Sequence, residues 1–407
     1  MMSNENQQLQ LPFERVRQRI GNFLFVLLAL NIMLDPANCV LHLKDVCFVA
    51  FVGYNILAYK PDWKMLIPIG MVFTAFMAAY VFAEMQMMAL NYDKVLAVAK
   101  SLAPLVALLW IRRYDVIRLT LLPACVLVLL MIALYCIALS SEVLEYALFT
   151  YMSAHNDMIM MSHRSFLGFN IFGMYYKSFV TIMFAMFVFT YRFYNATTFW
   201  GRYGNLILVI LFTIAAFMSG TRSTMLLPLF MLGFVAYRHI ARAKTSKYFV
   251  YPILVLFALL FLGLVFSLAM ETSEASNTIK YAILGSYGKL FTMHPEYLLF
   301  GQGPSAVFFS DGMHKLQDET EWTYIELVRN YGLMSLLILA VVLYPIKRMW
   351  RHCKTDDFTF GIMGTYIAYL LIAGTNPLLL SSTGMIMILA AYSYSERLPK
   401  ITPQTRL

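Results

Sequence analysis

Residues Leu119–Leu139 read LTLLPACVLVLLMIALYCIAL, an unbroken apolar run of 21 residues with Arg112, Arg113 and Arg118 just ahead of it. A hydrocarbon layer takes about 20 apolar residues of helix to cross, and a helix satisfies its own backbone polar groups inside lipid. The run therefore reads as a transmembrane helix. Working outward, similar runs recur at Ile20–Leu34, Val46–Ala58, Met65–Ala83, Val95–Trp110, Gly168–Thr190, Leu206–Met218, Met225–Tyr237, Phe249–Met270, Ile325–Ile346, Phe360–Leu371 and Leu378–Tyr394. Together they predict an all-α integral membrane protein of about twelve spans, one polytopic domain over residues 1–407. Composition agrees, since a chain that is 60% apolar and 13% charged has too little polar surface to cover a soluble globule. The run at Ile20, behind Arg15, Arg17 and Arg19, has the outline of a secretory signal. No small-residue cleavage site follows it, so it is expected to remain a span.

Basic residues in short loops are held on the cytoplasmic side. Taking loops alternately, one face collects Arg15, Arg17 and Arg19; Lys60 and Lys64; Arg112, Arg113 and Arg118; Arg192 and Arg202; Arg238, Arg242, Lys244 and Lys247; Lys347, Arg348, Arg351 and Lys354; and Arg397, Lys400 and Arg406. That is about two thirds of all Lys and Arg, and it predicts cytoplasmic termini at both ends. The net charge of +9 is then mainly a topology signal helped by anionic lipid. No basic tract interleaved with stacking aromatics points to nucleic acid. The opposite, periplasmic face is expected to carry two sizeable loops, 140–166 and 271–323, the second just before the tenth span. Cys47, Cys125 and Cys136 fall within spans, Cys353 on the cytoplasmic side and Cys39 near the outer one, so no disulfide framework is implied.

The most informative short stretch is Ser219-Gly220-Thr221-Arg222-Ser223-Thr224, which puts an arginine where one span ends and the next begins. Ser223 or Thr224 can cap the following helix, and an arginine beside a helix N-terminus makes an anion site suited to phosphate. An arginine snorkelling to the interface, or paired with a nearby carboxylate, accounts for the same residue equally well.

This stretch, MSGTRSTMLLPLF, resembles the O-antigen ligase and polymerase superfamily, in which a similar turn opens a hydrophobic helix on the periplasmic side. A second likeness is Lys280 followed by His294-Pro295-Glu296-Tyr297-Leu298-Leu299-Phe300-Gly301-Gln302-Gly303, similar to the family's basic residue and P-x-x-x-x-G-x-G turn. A third is Trp322-Thr323-Tyr324-Ile325-Glu326-Leu327 running to Tyr331-Gly332-Leu333. The resemblance covers roughly Phe199–Tyr344, and the rest of the chain agrees only in hydropathy.

The resemblance implies metal-independent glycosyl transfer, without an organic cofactor, on the outer face of a bacterial inner membrane. Its substrates are glycans carried on undecaprenyl diphosphate. The leaving diphosphate gains negative charge, so fixed cations aimed at it lower the barrier. Arg222, Arg164 and Lys280 are the candidates for that role. Arg329 is equally well read as a structural partner of Glu326 at i,i−3. Ligases of the family place a histidine where this chain has Glu321, within the acidic run Asp318-Glu319-Thr320-Glu321. Glu321 is the candidate general base, His314 the alternative, and a solvated acidic run the plain reading. The missing histidine favours a Wzy-type polymerase, although Arg164 and Gly173 only approximate the spacing of the polymerases' arginine motifs. A ligase acting on lipid A-core and a lipid-linked oligosaccharide flippase or transporter are the competing readings. A polymerase implies membrane lipid, a Wzz-type chain-length regulator and a flippase as partners.

Three other matches carry less. Gly301-Gln302-Gly303-Pro304-Ser305-Ala306 fits a dinucleotide fingerprint by letter but has no βαβ context. His294, His314, Asp311 and Asp318 lack the paired spacing of a metal site. Met85, Met87 and Met88 read as adaptable packing.

Overall fold

The computed structural model describes residues 2–155, 158–166, 169–221 and 275–399, together with 224, 225, 227, 228, 230, 231 and 233. The expected span Phe249–Met270, most of Met225–Tyr237 and Arg222 itself lie outside the described residues. The chain is a mostly helical, multi-pass membrane protein. Among the described residues, six helices are long and apolar enough to cross a membrane by length and composition: Phe13–Leu34, Trp63–Met85, Tyr92–Arg113, Val116–Ser140, Phe199–Met218 and Thr323–Trp350. Phe179–Asn195 and Asp357–Ala373 are shorter apolar helices.

In chain order the bundle runs α1 (Met2–Leu34), α2 (Lys44–Ala58), α3 (Leu66–Met85), α4 (Tyr92–Leu102), α5 (Val116–Ser140) and α6 (Glu142–Ala154). The hairpin β1 (Ile159–Phe166) and β2 (Phe169–Tyr176) follows, then α7 (Met183–Asn195), α8 (Phe199–Met218) and α9 (Ala275–Met293). A short pair, β3 (Phe308–Ser310) and β4 (Lys315–Gln317), precedes α10 (Thr323–Tyr331), α11 (Ser335–Trp350), α12 (Asp357–Ala373) and α13 (Ser382–Arg397).

Helix α13 is the axis of the packing. Met385–Tyr392 is buried residue after residue, as a helix that is apolar on all sides must be. It contacts α5, α11, α12 and the turn after α4. Outward faces are apolar too: Leu122 and Leu129 of α5 and Ile207 of α8 are more than half exposed, the pattern of a surface solvated by lipid. Helix starts carry side-chain caps that satisfy otherwise orphan N–H groups. Asp115 accepts from the Arg118 N–H at 3.1 Å, and Ser381 from the Gly384 N–H at 3.1 Å.

The two ends of the bundle differ in charge. At one end, Glu396, its side chain fully buried, receives Arg112 at 2.6 Å and Arg348 at 2.7 Å. Arg112 also meets Asp62 at 2.9 Å, and Arg397 meets Asp115 at 2.9 Å. The opposite end carries α6, the β1–β2 hairpin, α9 and the β3–β4 pair.

The structure departs from the expected boundaries at this second end. The expected span Gly168–Thr190 is divided, because residues 169–176 pair with β1 from Phe166↔Phe169 to Ile159↔Tyr176. Its helical part begins only with the turn at Phe179. Phe169–Tyr176 is aromatic-rich and interrupted by Asn170 and Gly173, a composition that suits a pleated strand as well as an apolar helix. The segments expected as loops are also ordered: α6 fills much of 140–166, and α9 opens 271–323.

Candidate functional site

Glycine contacts position the two motif-bearing turns. Gly220 has φ +64°, and a Cβ there would stand 2.5 Å from the Gly173 Cα; a Cβ on Gly173 would stand 2.9 Å from the Gly220 Cα. Backbone therefore lies on backbone, which only glycine permits. The turn that leads into Arg222 is seated on β2. Ser162 of β1 pairs with Gly173, so the backbone of Arg164 lies two residues along the strand from this contact.

The second turn is locked in the same way. Gly301 (φ +79°) and Gly332 (φ +53°) oppose each other so closely that a Cβ on Gly332 would meet the Gly301 nitrogen at 2.5 Å. Gln302 and Gly303 donate their N–H groups to the carbonyls of Arg329 and Asn330 at 2.5 and 3.1 Å. Gly301 and Gly332 thus serve one close approach, between the P-x-x-x-x-G-x-G turn and the end of α10, while a Cβ on Gly303 would instead meet Ala83 of α3.

What the turn encloses is Arg329, which is fully buried. Its Nε and Nη2 donate to Glu326 at 2.9 and 2.6 Å, its Nη1 to Gln302 Oε1 and the Ala306 carbonyl at 2.8 and 2.6 Å, and its Nη2 also to the Asp318 carbonyl at 3.0 Å. The guanidinium has five N–H groups, and this geometry occupies them all. It also lies 4.6 Å over the Phe308 ring. The other Glu326 oxygen accepts from the Tyr287 hydroxyl at 2.5 Å. Arg329 is a structural residue, as the i,i−3 spacing allowed.

Beside this block a cavity of about 210 Å³ opens between α4, α10 and the segment Pro377–Ser381. Its wall includes Lys94, Asp318, Glu319, Thr320, Glu326 and Asn330, with hydroxyls from Ser101, Thr323 and Ser381. Asp318 is held by the Asn91 amide at 2.6 Å, and Lys94 approaches Glu319 at 3.5 Å. The Glu319 side chain is half-exposed within this concave wall. Desolvation by the wall pushes its carboxyl above the usual carboxylate range, and Glu326 and Asp318 add to the rise while Lys94 opposes it. The Asn330 Oδ1 is buried there with no hydrogen-bond partner among the described residues.

The sequence candidates gather around this cavity unevenly. Lys280 of α9 pairs with Glu321 at 2.7 Å, and the Trp322 indole N–H donates to the Lys280 carbonyl at 3.1 Å. Burial, helped by the nearby Glu321 carboxylate, pushes the Tyr175 phenol up, which ties this pair to strand β2. The Tyr175 hydroxyl is buried without a hydrogen-bond partner among the described residues. Thus β1–β2, the Gly220 turn, Lys280 and Glu321 occupy one end of the molecule. Glu321 flanks the cavity but does not line it. His314 is exposed at φ +50° in the turn between β3 and β4, beside Asp311. The Arg164 strand position is set, and Arg222 lies outside the described residues.

Lys94, Glu319 and Asn330 were not legible as a group. The acidic run announced Glu319 without distinguishing it from its neighbours, and nothing local to Lys94 signals a partner more than two hundred residues away. Carboxylate and amide acceptors, one ammonium and several hydroxyl-bearing side chains along one wall suit contact with a hydroxylated ligand, and a carboxyl with a raised pKa suits proton transfer. Comparison with known proteins returned no matching family model, curated protein or solved structure.

Proposed function

We propose that the chain polymerises undecaprenyl-diphosphate-linked oligosaccharide repeat units into O-antigen or a related surface polysaccharide, at the periplasmic face of a bacterial inner membrane. The observation that carries this reading is the cavity with Glu319 and Lys94 on its wall, next to the Lys280–Glu321 pair and at the end of the bundle away from the arginine cluster. In the proposed step, a hydroxyl of the acceptor sugar gives its proton to a carboxylate while its oxygen bonds to the anomeric carbon of the donor. The bond from that carbon to the diphosphate oxygen breaks, and the electron pair leaves with the diphosphate. Glu319 joins Glu321 and His314 as a candidate for the base. Arg222, Arg164 and Lys280 are proposed to hold the diphosphate, with Lys280 partly neutralised by Glu321. A Wzz-type regulator and a flippase are the expected partners.

Gene deletion followed by electrophoresis of the lipopolysaccharide tests the reading. Core carrying a single repeat is expected. Bare core would instead indicate a ligase, and an unchanged ladder would remove both.

A further inference from the structure

At the arginine-rich end, a groove of about 300 Å³ lies between α5, α7, α12 and α13. Arg118 in the first turn of α5, Arg192 in the last turn of α7 and Arg397 at the end of α13 stand around it. Its floor is apolar, formed in part by Leu121, Val188 and Phe358. Asp115 is the one carboxylate among its described lining residues, and Arg397 already engages it at 2.9 Å. Arg118 and Arg192 are exposed, and their guanidinium groups have no hydrogen-bond or ion-pair partner among the described residues.

We propose that this groove binds one anionic phospholipid, its phosphate held by Arg118 and Arg192 and an acyl chain laid along Leu121 and Val188. Charge complementarity argues for the occupant. Three cations against one paired carboxylate leave an excess of two positive charges at the level where helices of a membrane protein leave the hydrocarbon. Basic pockets between spans, at that depth, bind lipid phosphates, and the guanidinium fork matches a phosphate better than an ammonium does. The apolar floor distinguishes a lipid from a soluble anion. Leu121 lies three residues inside α5 from Arg118, and Val188 four residues inside α7 from Arg192, so each cation continues into an apolar helix face. The proposal does not depend on the function assigned to the opposite end.

The test uses the full-length protein in mild detergent, examined by native mass spectrometry after addition of phosphatidylglycerol or phosphatidylcholine. Wild type is expected to retain phosphatidylglycerol selectively, and Arg118→Gln/Arg192→Gln to retain it about tenfold less. Arg351→Gln/Lys354→Gln, which removes the same charge at the same end outside the groove, is expected to match wild type. Glycerol phosphate in excess is expected not to displace the lipid. Equal retention of both lipids, equal loss in the two double variants, or displacement by glycerol phosphate would each overturn the proposal. Wild type alone provides a check that needs no variant: phosphatidylglycerol should raise its thermal midpoint and phosphatidylcholine should not, and no difference between them counts against the site.

Discussion

At the level of single residues, the arginines divide by how their donors are used. Arg329 has every N–H engaged, so Glu326→Gln leaves a buried guanidinium short of its counter-charge and is expected to cost about 3–5 kcal/mol. An unchanged thermal midpoint would refute this. Asp35 shows the opposite sign of charge stabilised in the same manner. It is buried at the end of α1, and although burial alone raises its pKa, N–H groups of Cys39, Val40 and Leu41 outweigh that and hold it below the usual range. A lowered carboxyl contributes stability that is present above its unfolded value and is lost as pH falls through the folded one. Asp35→Asn should therefore flatten the acid limb of thermal stability, and an unchanged limb would argue against it. Glu319 is raised instead. If Glu319 is the transfer base proposed above it must be ionised, and the proposed polymerising activity should then fall with acidity already above the ordinary carboxylate range. Glu319→Gln should abolish chain extension at normal membrane levels, whereas a full-length ladder would return the role to Glu321 or His314. Lys280 and Glu321 were separately legible as candidates. Their pairing was not, because charge type along a sequence does not show which groups a fold brings within 3 Å.

At the level of elements, continuous apolar runs were the readable part. Leu119–Leu139 became α5, Met65–Ala83 lies within the helix Trp63–Met85, and Leu206–Met218 ends where α8 ends. The run over 168–190 misled because hydropathy measures burial or lipid contact and not backbone period. Phe169–Tyr176 meets that measure as one half of a hairpin. Helix α6 was hidden for the converse reason: with Glu142 and Glu145 in its first turn behind the Ser141 cap, it looks polar enough to be loop. The hairpin and the Gly220 turn should be sensitive to one added methyl group. Gly173→Ala is expected to lower the thermal midpoint by several degrees and to impair chain extension, because the Cβ meets backbone that cannot rotate away. A variant with wild-type stability and activity would show that the two segments are not held in contact.

At the level of the whole molecule, the arginine-rich and carboxylate-bearing ends set an axis across the bundle. The sidedness expected from Lys and Arg would put the arginine end in the cytoplasm, which labelling can test. In a variant freed of its own reactive thiols, Lys289→Cys should react with a membrane-impermeant thiol reagent added to spheroplasts, and Lys354→Cys should react only after lysis. The reverse pattern would invert the molecule and remove the periplasmic assignment of the cavity. The bundle also transmits position across long stretches of sequence. Because Gly173 and Gly220 meet main chain to main chain, no side chain can flex between them to absorb a displacement. The hairpin therefore sets a limit for the Gly220 turn: β1–β2 cannot press further toward the segment leading to Arg222 without displacing it.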